Sequence, residues 1–278
     1  MPAITDEQRR NWEEQGFLIV RNSIDAGLIK SIRDAVESII DRALDDAYGD
    51  SFRWVDKDRH LPDFINDLLT APKYVPTFGA LLDTVILPFV ESLLNSPVRC
   101  SWLMTLTSGA GHAYGVPLHR DNCGLGVPEE SELIDTYRMK QAYFQAPLLP
   151  GDRFLQLVPG SHLRLASETE IRTAACDYSG DDPPGLKTIE LEPGDIVYRH
   201  TNTLHRGQNP EGIRRLTLAS SFWAASMPLL DIERQDFAGL DDPDFVKSLS
   251  PYCQSAVGRY LHAYAAAGET SDRIQTNQ

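Results

Sequence analysis

Cysteine is sparse in this chain and never paired: Cys100, Cys123, Cys176 and Cys253 stand far apart, with no CxxC among them. That spacing indicates neither a disulfide framework nor a cysteine zinc site, and reduced cytosolic thiols are the simplest reading. Positive charge is also short. Lys and Arg number 26 against 40 Asp and Glu, for a formal net charge of -14. The overall field therefore repels phosphate backbones and anionic membrane surfaces, so a small-molecule partner is expected and no nucleic acid or membrane. Self-association is not restricted by composition, and a homo-oligomer stays open. No uninterrupted run of about eighteen apolar residues is found, so no membrane span is expected. The opening segment MPAITDEQRRNWEEQG is polar and acidic. It resembles neither a secretory apolar region nor an Arg-rich transit peptide.

What is present describes one globular domain. The 278 residues, 42% of them hydrophobic, are enough to bury a large core. Neither repeats nor low-complexity tracts divide them. Residues 1–95 read as mostly helical. Thr5-Asp6-Glu7-Gln8 offers a cap with acidic residues in the first turn. Gly16 to Val20 interrupts this with a short β-branched strand. Asp25 to Ala47 returns to helical spacing through Leu28, Ile29, Ile32, Val36, Ile39, Ile40 and Leu44. A further helix is expected over Thr77 to Leu94. From Val98 to Trp223 the pattern changes to short strands: Val98–Thr107, Met139–Pro147, Phe154–Val158, Lys187–Leu191, Asp195–Arg199 and Arg214–Trp223. Pro-Gly turns separate them. Pro243 to Ala267 reads as a closing helix with a frayed tail. The expected fold is mainly β with flanking helices, built on a jelly-roll or cupin-like double-stranded β-helix.

Seven histidines are available, and one stands in an H-x-D arrangement, Leu118-His119-Arg120-Asp121. In an extended segment residues i and i+2 share a face, so an imidazole nitrogen and a carboxylate oxygen can meet at one ion. Two His and one carboxylate on a face of an octahedral ion leave three adjacent positions open, the usual arrangement of non-haem Fe(II) oxygenases. The third ligand must come from a distant segment. His205 lies beyond the Pro193-Gly194-Asp195 turn and its strand, just before a polar turn. The next strand opens with Arg214 and Arg215. An arginine inside such a strand is costly unless an anion meets it, and a guanidinium grips a carboxylate with two parallel hydrogen bonds.

This constellation resembles the phytanoyl-CoA dioxygenase family of Fe(II)/2-oxoglutarate-dependent oxygenases. Gly16-Phe17-Leu18-Ile19-Val20 resembles that family's N-terminal strand, and Val158-Pro159-Gly160-Ser161-His162 its PGSH turn. His119, Asp121 and His205 match its iron ligands, and Arg215 its 2-oxoglutarate anchor. Leu149-Pro150-Gly151-Asp152-Arg153 replaces the acidic or Asn-Gly loop often found before the PGSH turn. The resemblance implies Fe(II) as cofactor, 2-oxoglutarate and O2 as co-substrates, and hydroxylation of an unactivated C–H bond with release of succinate and CO2. A carboxylate ligand at Asp121 favours oxidation over halogenation, because related halogenases carry a small residue there.

Other assignments compete. His200 lies five residues before His205 and is the alternative distal ligand, although Arg199 and Thr201 beside it lack the turn that follows His205. His162 reads as a turn residue bonded to backbone, and His60, His112 and His262 as surface or core residues. Gln141 and Tyr143 alternate on a core strand, where they either face the pocket and touch co-substrate or simply pack. Arg120 and Arg206 either face solvent or meet an anionic substrate group. Arg215 is expected to face the pocket with Thr217, Ala219 and Ser221, and Arg214 to face outward with Leu216 and Leu218. Two other functions fit parts of the pattern: a cupin-type metal oxygenase or isomerase without 2-oxoglutarate, and a non-catalytic binding protein of the same fold.

Overall fold

The computed structural model describes residues 4–42, 52–56, 61–70, 73–175, 182–229 and 240–275. Cys176 and His60 lie outside them. Helix α1 (Asp6–Gln15) starts at the expected cap: the Thr5 side chain accepts from Gln8 and the Gln8 side chain from the Thr5 backbone. It ends at Gly16, whose φ of +76° reverses the chain into strand β1 (Phe17–Val20). Asp25 caps α2 (Ala26–Asp41), which buries Ile29, Ile32, Val36, Ile39 and Ile40. The expected extension to Ala47 falls outside the described residues.

The N-terminal region is less helical than expected. Strands β2 (Phe52–Asp56) and β3 (Leu61–Ile65) extend a sheet, because Phe64 and Ile65 pair with Leu106 and Thr105. The helix expected near Thr77–Leu94 runs from Pro76 to Leu94 as α3 (Pro76–Leu81), a π-helical turn at Leu82–Ile86 and α4 (Leu87–Leu94). Pro88 explains the widened turn: it has no N–H for the Thr84 carbonyl, and the Leu87 N–H reaches back five residues to Leu82 instead. By length and composition this helix could cross a membrane. Its apolar residues Phe78, Leu81, Leu82, Ile86, Leu87 and Val90 are instead buried in the protein's largest core cluster.

Two antiparallel sheets follow. The large one runs β1-β10-β7-β12-β5-β3-β2, with β4 also pairing β12, and the small one β6-β11-β8-β9. Their remaining strands are β4 (Val98–Arg99), β5 (Met104–Ser108), β6 (Tyr114–Gly115), β7 (Gln141–Pro147), β8 (Asp152–Leu157), β9 (Lys187–Leu191), β10 (Ile196–Arg199), β11 (His205–Asn209) and β12 (Arg215–Ala224). From β5 onward the chain passes repeatedly between the two sheets, as a jelly roll does. The single strand expected over Val98–Thr107 is broken because the Cys100 N–H turns away to the Ala256 carbonyl. His205 begins a strand rather than preceding a turn.

Two short helices were not expected, α5 (Glu130–Tyr137) before β7 and α6 (Glu168–Ala175) before β9. The closing helix is two helices, α7 (Pro243–Ser248) and α8 (Pro251–Gln275). Pro251 disfavours helical backbone at Ser250 and so separates them. Helix α8 also continues past the expected end at Ala267.

Alternation sorts the two central strands. Ala142, Phe144 and Ala146 of β7 and Leu216, Leu218 and Phe222 of β12 join the core under the helices. Tyr143, Gln145 and Arg215 point the other way and line the space between the sheets. All residues of β7 and β12 are buried.

Candidate active site

His119, Asp121 and His205 come together, with one potential ligand atom from each lying within 4.8 Å of the others. Backbone pairing brings the distant histidines together. His119 and His205 exchange N–H···O=C bonds of 2.9 and 3.0 Å, which sets their rings 4.3 Å apart. Each Nδ1 faces a carbonyl, Pro117 at 2.7 Å and Thr203 at 2.9 Å. A carbonyl can only accept, so Nδ1 carries the proton and the Nε2 lone pair is left for a ligand. Both Nε2 atoms turn to Asp121 Oδ1, at 3.6 Å from His119 and 3.3 Å from His205. Burial raises the Asp121 pKa, but Arg199 and the two imidazoles outweigh it and hold the carboxyl well below the usual range. Burial, then the Arg199 charge, lowers His205 to about 4. Asp121 is therefore held as an anion and His205 as a neutral imidazole, the protonation a divalent ion requires of its ligands.

The supporting segments explain the local geometry. In the PGSH turn, Gly160 donates to Gln15 O and Ser161 Oγ accepts from the Leu204 N–H at 2.8 Å, anchoring the residue before His205. On the other side Gly16 O accepts from the His200 N–H and from Thr203 Oγ1. The N-terminal helix–strand corner therefore braces the loop that delivers the distal histidine. His162 donates from Nε2 to Glu13 O, as a turn residue would. His200 does not belong to the cluster: its Nδ1 accepts from the Asn202 N–H and its Nε2 donates to Tyr137 O.

A cavity of about 410 Å³ opens beside the three residues. Arg215 and Tyr143 line it, and Gln141 does not. The Gln141 carbonyl oxygen accepts from Asn122 and Thr201, so it steadies the residue after Asp121. Tyr143 carries a phenol pushed up to about 12 by burial, only partly offset by Arg199. Arg215 is 6% exposed and meets the Tyr114 hydroxyl, Thr217 Oγ1 and the face of Phe154. Among the described residues no carboxylate forms an ion pair with it. Arg214 leaves the cavity and grips Glu37 of α2 at 2.6–2.7 Å. Arg120 and Arg206 are buried and committed elsewhere, so neither faces solvent nor the cavity. Arg120 bonds Glu130 and the carbonyls of Ser161, Asn202 and Arg164, while Arg206 bonds Gln156 and Asp182.

Several lining residues escaped the sequence reading. Arg199 donates to Asp121 Oδ2 at 2.8 Å and stacks on Tyr143. His112, read as a surface or core residue, lines the cavity with Tyr114 and Gln145. Arg199 had a legible signal: it is a cation at an inward position of the otherwise apolar Ile196-Val197-Tyr198-Arg199 strand.

No protein-family model and no curated protein matches the sequence. Solved structures do match in fold. AviO1 from Streptomyces viridochromogenes Tue57 superposes with a TM-score of 0.62 at 17% identity, over 82% of this chain and 99% of that one. EctD from S. alaskensis with 2-oxoglutarate and 5-hydroxyectoine gives 0.61 at 16%, over 82% and 78%. SnoK, a non-haem alpha-ketoglutarate-dependent carbocyclase from nogalamycin biosynthesis, gives 0.57 at 17%, over 80% and 84%. This chain shares their fold of antiparallel sheets with flanking helices.

Proposed function

We propose that this protein is an Fe(II)- and 2-oxoglutarate-dependent oxygenase acting on a small-molecule metabolite. The observation that carries the reading is the convergence of His119, Asp121 and His205 on the cavity that also receives Arg215, which meets no carboxylate among the described residues. The donor set fits the metal: two Nε2 lone pairs and a carboxylate oxygen face one point, and this ligand set with open positions is typical of non-haem Fe(II). The cavity fits the co-substrate, because a dicarboxylate would supply the anion that buried Arg215 does not find among the described residues. Tyr114 and Thr217 hold the guanidinium in place, and Asp152 Oδ2 accepts from Thr217 Oγ1 at 2.6 Å to fix that hydroxyl. When bound, iron would supply the oxidising chemistry with O2 as the oxidant and 2-oxoglutarate as the co-substrate oxidised to succinate and CO2. The chain supplies ligand geometry, a dry wall of Phe64, Leu106 and Leu155, and a cavity that aims the substrate.

Within this class we favour hydroxylation of a C–H bond, supported by Asp121 occupying the carboxylate position. The carbocyclase among the structural relatives shows that the fold also hosts other outcomes. Placement in the phytanoyl-CoA dioxygenase family is supported by the ordered motifs from Gly16 to Arg215 and by the PGSH turn's contact with the His205 loop. The test is anaerobic addition of Fe(II) and 2-oxoglutarate. A visible charge-transfer band is expected in the native protein and lost in His205→Ala. Folded native protein that binds iron but gives no band would refute use of 2-oxoglutarate and favour a cupin-type metal enzyme.

A further inference from the structure

The two oxygens of Asp121 are treated differently. Oδ1 faces both imidazole Nε2 atoms, whereas Oδ2 points away and accepts from Arg199 at 2.8 Å. Arg199 has little freedom to leave. Its side chain is 3% exposed, its guanidinium carbon lies 4.2 Å from the centre of the Tyr143 ring, and its backbone pairs with Tyr143 across β10 and β7. Its Nε is buried and finds no hydrogen-bond partner among the described residues, so the bond to Asp121 is the guanidinium's anchor on this side. A charge-assisted hydrogen bond in so enclosed a place fixes the carboxylate plane.

We infer that Arg199 is a positioning residue that confines Asp121 to a single ligating oxygen and so keeps three metal positions open. This rests on the metal-centre reading proposed above. A free carboxylate can offer a metal one oxygen or both. With two imidazoles and one oxygen, three positions of an octahedron remain, enough for a chelating 2-oxo acid and O2 together. If Oδ2 also ligated, only two would remain, and the chelate alone would fill them. A merely structural Arg199 packed on Tyr143 would have no effect on this count.

The test uses Mn(II) in place of iron on the whole chain, without 2-oxoglutarate, and counts metal-bound waters from EPR line broadening in 17O-enriched water. Three waters are expected in the native protein and in Arg199→Lys, which keeps a cation against Oδ2. Two are expected in Arg199→Met, with Mn(II) affinity within about tenfold of native, since removing a nearby cation also removes repulsion. Should Arg199→Met fail to fold, the uncharged Arg199→Leu, which has no donor for Oδ2, replaces it with the same expectation. Three waters in the uncharged variant would overturn the inference. So would a greater than tenfold loss of Mn(II) affinity, which would make Arg199 a builder of the site rather than a limiter of Asp121. Binding of 2-oxoglutarate to metal-free protein should be equal in native and Arg199→Met; a tenfold loss there would make Arg199 a direct anion contact and overturn it too. Native protein that binds no Mn(II) at all would instead sink the metal-centre reading itself.

Discussion

Replacing Arg215 and Arg214 in turn separates the proposed anion clamp from a surface ion pair. Arg215 is 6% exposed, lines the cavity, and among the described residues its side chain meets hydroxyls and an aromatic face. A dicarboxylate bound there would make a desolvated, charged contact, and removing one partner of such a contact costs about 2–5 kcal/mol. That corresponds to roughly 30- to 4000-fold in affinity for 2-oxoglutarate. Arg215→Lys should recover only part of it, because an ammonium is a point charge where a planar fork is needed. The Arg214 side chain is 47% exposed and bonds Glu37 on α2, an arrangement worth about 0–1 kcal/mol of stability. Arg214→Ala should therefore leave 2-oxoglutarate affinity within about twofold of native. The assay is anaerobic calorimetric titration of 2-oxoglutarate into protein loaded with Mn(II), with both variants checked for native circular dichroism. A steep loss in Arg214→Ala, or a folded Arg215→Ala that binds normally, would refute the assignment of this face to the co-substrate.

Metal affinity distinguishes the two candidate distal histidines. His205→Ala should weaken Co(II) binding by more than the roughly 10- to 100-fold typical of losing an outer partner, whereas His200→Ala should bind Co(II) nearly normally; the reverse would require a different ligand set. Gly16→Ala should destabilise the protein by about 2–4 kcal/mol. Its φ is +76°, and a Cβ there would come within 2.4 Å of His162 Nδ1 and 2.6 Å of Thr203 Oγ1. An unchanged melting temperature would show that this corner is looser than described. Acid should also weaken the fold before carboxylates protonate. Burial lowers His162 to about 4, and burial followed by the His162 charge lowers His200 to about 3. Both folded values lie below the unfolded value, so the unfolded chain binds more protons in between. Their contribution is fully present above about pH 6.5 and is lost as pH falls through about 4 and 3, by several kcal/mol. Urea midpoints that stay flat between pH 7 and 5 would contradict this.

The parts of the site legible in the sequence were those governed by period-two alternation. His119 and Asp121 share a face because two residues separate like faces in extended backbone, and the same rule sends Arg215 inward and Arg214 outward. Alternation says which residues oppose one another, but it does not say what lies on the other side. Arg120 shows this: it points away from the face that His119 and Asp121 share, yet the far side is protein, where Glu130 and three carbonyls enclose it. The enclosing partners come from α5, the PGSH turn and the segment before His205, which lie 10 to 82 residues away in sequence. For Gln141 alternation left cavity and packing both open, and its side chain meets Asn122 and Thr201 rather than the cavity. Strands β2 and β3 lay outside the expected β region, since pairing with β5 is a long-range contact. Arg199 is different in kind. The rule that a buried cation needs an anion applies to it as well as to Arg215, and the difference lies in the answer. Arg199 already has its anion in Asp121, whereas Arg215 has none among the described residues, and that unmet charge, more than the arginine itself, is what points to a ligand.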